Sequence, residues 1–398
     1  MEINSPKFFI EINKFEYIFG VGDHDENKDF QLIYKNSIPL QAISNNRIID
    51  FDLAHNTIKE NIYLIEQKFN YTFKDVVLIL NNFHCSFVNL TGYKKLNGSQ
   101  ILKDNITYIL NSLKLTLDES EKQKTVLHIF NSKFCLDKKE IENLPIGLFG
   151  DFYSHELSFS LINNNDYKNL NSVFDKCNLK IKKILLKNFI EGTQLIDDNK
   201  NQDTFFKVVI NEENSQLIYF DNAALKFVQN FEFGSNLILS DISKITSLTK
   251  DIVKKILSRN KLNYETTEQD YIEKELFENV NYRKIKKKLI FEIAAARIQE
   301  FAEIFLFKNI NLKTFQSEER TVFLNIKDKS NLECFKDSYK RLFFKENHFT
   351  VKFIEDISIE ETFENANRLV NFGWKKEAIP VIHTKKTFIA KFFEILFN

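Results

Sequence analysis

The segment TFFKVVINEENSQLIYFDNAALKFVQNFEFG, residues 204–234, decides the fold. It predicts a three-stranded β-meander, because β-branched and aromatic residues run between two short polar turns, NEEN and DNA. Residues near the start carry a similar pattern, with strands predicted over 8–20 and 29–36 around the polar tip DHDENK. Since two halves of the chain open with the same kind of sheet, the pattern indicates a duplicated fold.

After each meander, helices alternate with strands. The first half continues with a helix over 48–69, for which Asp52 is the predicted N-cap, and a strand over 76–90. In the second half the patterns predict helices over 240–259, a strand over 270–276, a helix over 281–307 with Asn281 as N-cap, a strand over 321–326, a helix over 332–343, a strand over 348–354 and a helix over 361–373. This alternation is typical of a mixed α/β protein with helices packed on its sheets.

Bulk composition argues against several functions. Lysine plus arginine equals aspartate plus glutamate at 55 each, so no net charge draws the chain to nucleic acid. The four cysteines lie far apart without a C-x-x-C pair, which is typical of a reducing compartment. The first residues lack a secretory pattern and no run reaches about 20 apolar residues, so we expect neither export nor a membrane span.

Glycine is scarce, at nine residues in 398. Neither a G-x-x-x-x-G-K-[ST] nor a G-x-G-x-x-G motif occurs, and we interpret Gly20 and Gly22 as a hairpin turn. We interpret His24, between Asp23 and Asp25, as part of a polar hairpin tip rather than a metal ligand. No other spacing of histidine, cysteine or serine is typical of a metal centre or a nucleophile, so we predict no metal site and no catalytic residue.

Four short strings follow one another along the chain: LPIGLFG (144–150), FGSNLILSDISK (233–244), IFEIAAARIQEFAEIF (290–305) and FENANRLVNFG (363–373). In content and order they resemble strings of the bacterial cell-division family FtsA. The resemblance implies an α/β, actin-like (ribonuclease H-like) duplicated fold with an FtsA-type inserted α+β subdomain and a C-terminal amphipathic helix.

The resemblance and the element pattern together divide the chain into six parts. The parts are 1–90 and 163–203 for the first actin-like half, 91–162 for the inserted subdomain, 204–374 for the second half with its partner-binding subdomain, 375–384 for a linker, and 385–398 for the terminal helix.

The turns that match the nucleotide-binding turns of actin-fold ATPases have no glycine. In those ATPases the turns run like D-I-G-T and D-I-G-G-G-T-x-D, because glycine lets backbone N–H groups close around phosphate oxygens. The matching turns here are 11–14 and 209–216, and the adenine-side glycine pair is matched by 325–329. Glu212 and Glu213 would repel a phosphate about 4 Å away by about 4 kcal/mol at an effective dielectric constant near 20. We therefore expect no cofactor; ATP with magnesium would bind only if these altered loops still hold it.

The chain closes with KKTFIAKFFEILFN, residues 385–398. As a helix these residues form an apolar stripe about 21 Å long, too short to cross a bilayer and suited to lie in its interface. The candidate membrane-binding residues are Lys385, Lys386, Phe388, Ile389, Lys391, Phe392, Phe393, Ile395, Leu396 and Phe397. A helix docked on the protein's own core is the alternative, but Pro380 and its neighbours predict a linker, which favours the membrane.

The densest basic run is NYRKIKKKLI, residues 281–290, at the start of a predicted helix, where the helix dipole disfavours cations. By resemblance, this helix belongs to the subdomain that receives the C-terminal peptide of the tubulin-like protein FtsZ. The candidate partner-binding residues are Lys287, Lys288, Arg297 and Glu300. For each of them a solvated charged helix face is the alternative. Nucleic acid is disfavoured, because no aromatic residues interleave with the charges.

These expectations combine into one hypothesis with two alternatives. The hypothesis is a peripheral adaptor at the division site, on the cytoplasmic side of the inner membrane, that tethers FtsZ filaments without ATP turnover. It would bind lipid through its terminal helix, associate with itself into filaments and recruit other division proteins. The alternatives are an actin-fold ATPase with divergent phosphate loops and a related scaffold such as a pilus-assembly adaptor.

Overall fold

A computed structural model describes residues 6–24, 30–44, 47–81, 83–200, 202–259, 270–277, 281–312, 320–344 and 349–378. The predicted membrane-binding tail, 385–398, lies outside the described residues, as does the linker from 379 onward.

The strands are β1 (Lys7–Ile12), β2 (Glu16–His24), β3 (Phe30–Pro39), β4 (Ile43–Ser44), β5 (Arg47–Ile48), β6 (Asp75–Leu80), β7 (Ser86–Lys95), β8 (Lys124–Leu136), β9 (Lys139–Ile141), β10 (Phe152–Asn163), β11 (Lys180–Leu186), β12 (Phe205–Ile210), β13 (Ser215–Asp221), β14 (Ala224–Phe231), β15 (Arg320–Ile326) and β16 (Phe349–Phe353). The α-helices are α1 (Phe51–Phe69), α2 (Lys103–Ser120), α3 (Asn164–Lys176), α4 (Lys187–Asp198), α5 (Asn236–Thr246), α6 (Lys250–Arg259), α7 (Lys287–Ala302), α8 (Lys329–Phe344) and α9 (Ile359–Phe372).

Two five-stranded sheets share one topology. The first has the order β11-β6-β1-β2-β3 and the second the order β14-β13-β12-β15-β16. If the five strands of each sheet are numbered 1 to 5 in chain order and the sheet is read from strand 3, both sheets have the order 3-2-1-4-5. The first strand pairs in parallel with the fourth in both sheets, β1 with β6 and β12 with β15. This repetition confirms the duplicated α/β fold, and the meander predicted over 204–234 is confirmed as β12, β13 and β14.

Burial follows position in the sheet. β6 lies between two parallel neighbours, and every residue from 76 to 80 is buried. Continuous apolar runs are typical of strands covered on both faces. β3, at the edge of the same sheet, instead mixes half-buried with exposed residues, as expected for a strand with one wet face.

By the density of its contacts the chain divides into two compact units. The first comprises the described residues of Met1–Asp203, Phe220–Phe227 and Ile357–Asn398, and the second those of Thr204–Tyr219 and Val228–Asp356. Among the described helices of both units, none is long and apolar enough to span a bilayer.

Between β6 and α3 the first unit contains a separate four-stranded sheet, in the order β7-β10-β8-β9. Helix α2 packs against it, and the shared core includes Ile109 and Leu113 of the helix with Leu157 and Phe159 of β10. Gly92 of β7 lies directly beneath α2, where a Cβ would fall 2.4 Å from Ile109. The absence of a side chain at this position lets the helix approach the sheet.

Some predicted element ends in the first half were wrong. The strand predicted over 8–20 is two strands, β1 and β2, separated by a turn at 13–15. Asp50 rather than Asp52 caps α1, since the Asp50 side chain accepts a backbone N–H of the first turn at 2.9 Å. The strand predicted over 76–90 is likewise interrupted between β6 and β7.

Gly20 and Gly22 do not form the predicted turn, because both lie inside β2. A Cβ on Gly20 would fall 2.3 Å from a ring carbon of Phe363 in α9, and one on Gly22 would fall 2.2 Å from the ring of Phe30. These glycines therefore make room for aromatic rings rather than for a chain reversal.

Helix α7 begins at Lys287 rather than at the predicted Asn281. Before it, Tyr271 and Lys286 form an isolated antiparallel bridge, and the backbone of Lys286 is extended. The strand predicted over 270–276 is also wrong, since Tyr271 alone makes a bridge there and a 3-10 turn follows.

Candidate functional site

The first glycine-free turn is closed by one asparagine. Asn13 Oδ1 accepts the backbone N–H groups of Phe15 at 2.8 Å and Glu16 at 2.9 Å. The Asn13 N–H donates to Glu16 O at 3.1 Å. Asparagine favours such turns because its short side chain reproduces a backbone acceptor. The N–H groups that a phosphate-binding turn would offer to its ligand are therefore engaged inside the turn.

A carboxylate lies just before this turn and is fully buried. Glu11, near the end of β1, receives Lys187 Nζ at 2.8 Å and 3.1 Å on its two oxygens. Asn81 Nδ2 donates to the same side chain at 3.1 Å. Lys187 is the first residue of α4, which directly follows β11, so the sheet topology places it beside β1. The negative charge is thus balanced by the chain's own lysine.

The second glycine-free turn is bound to the start of a helix. The backbone N–H of Ser235 donates to Asn211 O at 2.9 Å, and that of Asn236 donates to Glu212 O at 3.0 Å. N–H groups at a helix start are the usual donors to a bound phosphate. Gly234 allows this contact, because a Cβ there would fall 2.0 Å from Asn211 O. The N–H groups at the start of this helix therefore donate to carbonyl oxygens of the turn.

The side chains of this turn also pair within the second unit. Asn211 Nδ2 donates to Asn214 Oδ1 at 2.7 Å, which closes the turn. Glu213 accepts a hydrogen bond from Asn236 Nδ2 of α5. The turn is therefore an ordered hairpin with its own set of partners.

The third segment, 325–329, is also internally satisfied. Asp328 accepts the Asn331 N–H at 3.0 Å at the start of α8 and the hydroxyl of Ser235 at 3.3 Å. Lys327 forms an ion pair with Asp356. Polar groups of all three segments thus form hydrogen bonds or ion pairs with neighbours in their own unit.

The four predicted partner-binding residues fall into two groups on α7. Lys287 Nζ lies 2.6 Å from Glu273 Oε1, and Lys288 is half-buried in the same turn. Arg297 Nε donates to Asp241 of α5 at 2.5 Å, and its guanidinium also pairs with Glu300. The hydrogen bond that Arg297 donates to Asp241 raises the pKa of Arg297. Ten residues of helix separate the groups by about 15 Å, so they do not form one cluster.

The last described residues, 374–378, are fixed on the edge of β8. The Asn131 N–H donates to Lys376 O, and the Ala378 N–H donates to Ile129 O, each at 2.7 Å. Trp374 Nε1 donates to a backbone carbonyl oxygen at 2.7 Å. The predicted linker, 375–384, therefore begins with residues that are bound to the folded body.

Within this segment Glu377 belongs to a buried ionic cluster that the sequence pattern did not reveal. His128 Nδ1 and Lys183 Nζ each lie 2.8 Å from a Glu377 oxygen. Burial acts to raise the pKa of Glu377, but Lys183 and His128 outweigh it and the pKa is lowered. Burial lowers the pKa of His128. The three side chains are up to 249 positions apart in sequence, so no local motif could have indicated them.

Among the described residues, no group of three or more histidine, cysteine, aspartate or glutamate side chains could hold a metal ion. Asp25 of the DHDENK tip and all ten predicted membrane-binding residues lie outside the described ranges.

No protein-family model matches the chain, and no match is found among curated proteins. Among solved structures, the chain aligns with a chain of the PilM-PilN type IV pilus biogenesis complex at a TM-score of 0.52 and 10% identity, covering 93% of this chain and 100% of that one. MreB 5 of Spiroplasma citri aligns at a TM-score of 0.41 and 10% identity, over 92% and 96% of the two chains. The cytoplasmic domain of EpsL from Vibrio cholerae aligns at 0.39 and 6%, over 96% and 100%. Together with the repeated sheet order, the first of these matches shows that the chain has the actin-like fold.

Loss of Lys187 should strongly destabilise the first unit. Lys187→Met leaves Glu11 buried without its counter-charge, which typically costs about 3–5 kcal/mol. Glu11→Gln combined with Lys187→Met should recover most of that loss, because no charge is then left unpaired. Urea denaturation of the three proteins measures the difference.

A matched control is Lys35→Met, which breaks the exposed pair with Glu360 and should cost less than about 1 kcal/mol. A loss in Lys187→Met no larger than that of the control would contradict the assigned role of Lys187.

Acidification should loosen the first unit. Burial lowers the pKa of His128 and lowers that of His155 to about 3, so below about pH 6.5 the unfolded chain binds protons that the folded chain does not. The free energy of unfolding should then fall by up to about 1.4 kcal/mol per pH unit for each histidine. Glu377, whose pKa is also lowered, adds stability at neutral pH that is lost as pH falls through its folded pKa.

The chain's single tryptophan, Trp374, makes its fluorescence a direct probe of the C-terminal segment during urea denaturation. His128→Gln should reduce the pH slope of stability between pH 6.5 and 5, and the slope that remains is the contribution of His155. An unchanged slope would refute the assignment.

Proposed function

We propose that this protein is a nucleotide-independent actin-like scaffold that attaches a protein assembly to the inner face of the cytoplasmic membrane, as FtsA does. The observation that carries the proposal is the internal closure of the segments that match nucleotide-binding turns. Glu11 is neutralised by Lys187, and the Asn13 side chain occupies the N–H donors of its turn. A fold of this kind needs no bound nucleotide to complete these turns.

The membrane part of the proposal rests on the sequence of residues 385–398 and on the anchorage of the chain before them. Seven bulky apolar side chains and three lysines suit an interfacial helix. Because residues 374–378 are hydrogen-bonded to β8 and Glu377 is ion-paired inside the first unit, force on the tail would reach the folded body directly. This supports a tail used as a tether.

For the partner we propose the C-terminal peptide of FtsZ, bound along α7. Arg297 keeps part of its guanidinium accessible while Asp241 and Glu300 hold it in place. An acidic peptide carboxylate could replace Glu300 on the guanidinium in a bidentate pair. Self-association into filaments and recruitment of other division proteins complete the proposed role, because several tails on one polymer bind a membrane together through effective concentration.

A second candidate function is a pilus-assembly scaffold. It is favoured by the alignment with the structure of the PilM-PilN complex over 93% of this chain and all of that one. Both candidates share a cytoplasmic actin-like body that works by binding, and they differ in the partner.

Liposome flotation tests the tether. The intact chain should float with vesicles that contain anionic lipid, whereas a chain truncated after Val381 should stay at the bottom of the gradient, because the apolar stripe is gone. A matched control, Phe392→Ser with Phe393→Ser in the intact chain, keeps the length and charge and should also fail to float.

Adding FtsZ filaments to the same vesicles separates the two candidates. The division role predicts that the intact protein carries filaments with it, and that Arg297→Ala abolishes this without affecting flotation. Equal flotation of the intact and truncated chains would remove the tether, and flotation without FtsZ recruitment would favour the pilus-type scaffold.

A further inference from the structure

A pocket of about 180 Å³ lies at the edge of the first sheet where β1 and β6 begin. Lys7 and Asp75, the first residues of these strands, line it together with Lys74 and with Lys182 of the neighbouring β11. Since β1 rises about 3.3 Å per residue, Glu11 lies about 13 Å from Lys7 along the strand. The pocket is therefore separate from the turns described above.

The pocket gathers positive charge that the described residues do not balance. Its lining contains three lysines, Lys7, Lys74 and Lys182, and one acidic residue, Asp75. None of the three lysines forms an ion pair with a described residue. Burial and the nearby Lys7 lower the pKa of Lys182, and Asp75 offsets this only in part. The described lining thus carries a net charge of about +2.

The floor of the pocket adds a polar donor and an apolar wall. Asn367 of α9 is 4% exposed, and its Oδ1 accepts a hydrogen bond from Asn371 Nδ2 at 3.0 Å. That contact leaves the amide N–H groups of Asn367 as donors. The apolar part of the lining includes Phe73 and Val370, which are both buried. A ligand that fits has an anionic group and a small apolar portion.

We propose that this pocket binds a phosphate monoester. Such a group carries about −1.5 to −2 charges at pH 7, which matches the lining, whereas a carboxylate would compensate only half of it. Its oxygens accept from ammonium and amide donors in charge-assisted hydrogen bonds. Two sources present the same chemistry: a small soluble phosphate ester, and a lipid whose headgroup is a terminal phosphate.

Calorimetric titration with glycerol phosphate tests the soluble source, and sedimentation with phosphatidylcholine vesicles, with or without one tenth phosphatidic acid, tests the lipid source. The comparison uses full-length Lys7→Gln with Lys182→Gln. The control is Lys250→Gln with Lys254→Gln, which removes the same charge from exposed positions of α6 and leaves the tail unchanged.

We expect the control to bind like the unaltered protein and the pocket variant to bind at least about tenfold more weakly, since two charge-assisted contacts are lost. A difference seen only with phosphatidic acid vesicles assigns the lipid source, and one seen with glycerol phosphate assigns the soluble source. Equal binding by the two variants, or no saturable binding of either probe, would overturn the proposal.

Lys74→Gln, at an exposed position where folding is not at risk, should weaken binding about threefold and serves as the second variant. None of these outcomes bears on the proposed tether, which is read from the loss of flotation on truncation.

Discussion

The buried carboxylate of Glu11 is the constraint on which the first unit depends. A charged group with no exposure is strongly destabilising unless it is paired and hydrogen-bonded. Lys187 and Asn81 meet that requirement, and in doing so they connect β1 with α4 and with the residue that follows β6. In actin-fold ATPases the matching turn serves a bound nucleotide. Here the counter-charge is part of the chain, so the strand end is complete without a ligand.

In the second unit, too, polar groups of the turn are satisfied by neighbouring protein groups. The N–H groups of Ser235 and Asn236 at the start of α5 are directed at carbonyl oxygens of the 211–214 turn, and Gly234 permits that close approach. Glycine is therefore used to bring two protein segments together rather than to admit phosphate. The donors of both turns are thus satisfied inside the protein, and the proposed scaffold role rests on this observation.

The sequence predicted the repeated α/β architecture well, because the meanders and their apolar periods are local signals. The strand order of both sheets then follows from two copies of the same element series. Local patterns could not show that Lys187 pairs with a residue 176 positions earlier, or that Gly20 makes room for Phe363. The absence of glycine from the turns was visible in the sequence, whereas the closure by Asn13 became visible only with the backbone in place. Partner-binding residues on α7 were predicted from its basic run and by resemblance, and the structure separates them into two groups.

The central claim is that internal contacts have replaced nucleotide binding. Calorimetric titration of the intact protein with ATP and magnesium, paired with thermal unfolding at the same concentrations, tests it most directly. The account predicts no saturable heat and an unchanged unfolding temperature up to millimolar nucleotide. Saturable binding in the micromolar range would contradict it, and so would stabilisation by about 2.7 kcal/mol at a hundredfold excess over the dissociation constant.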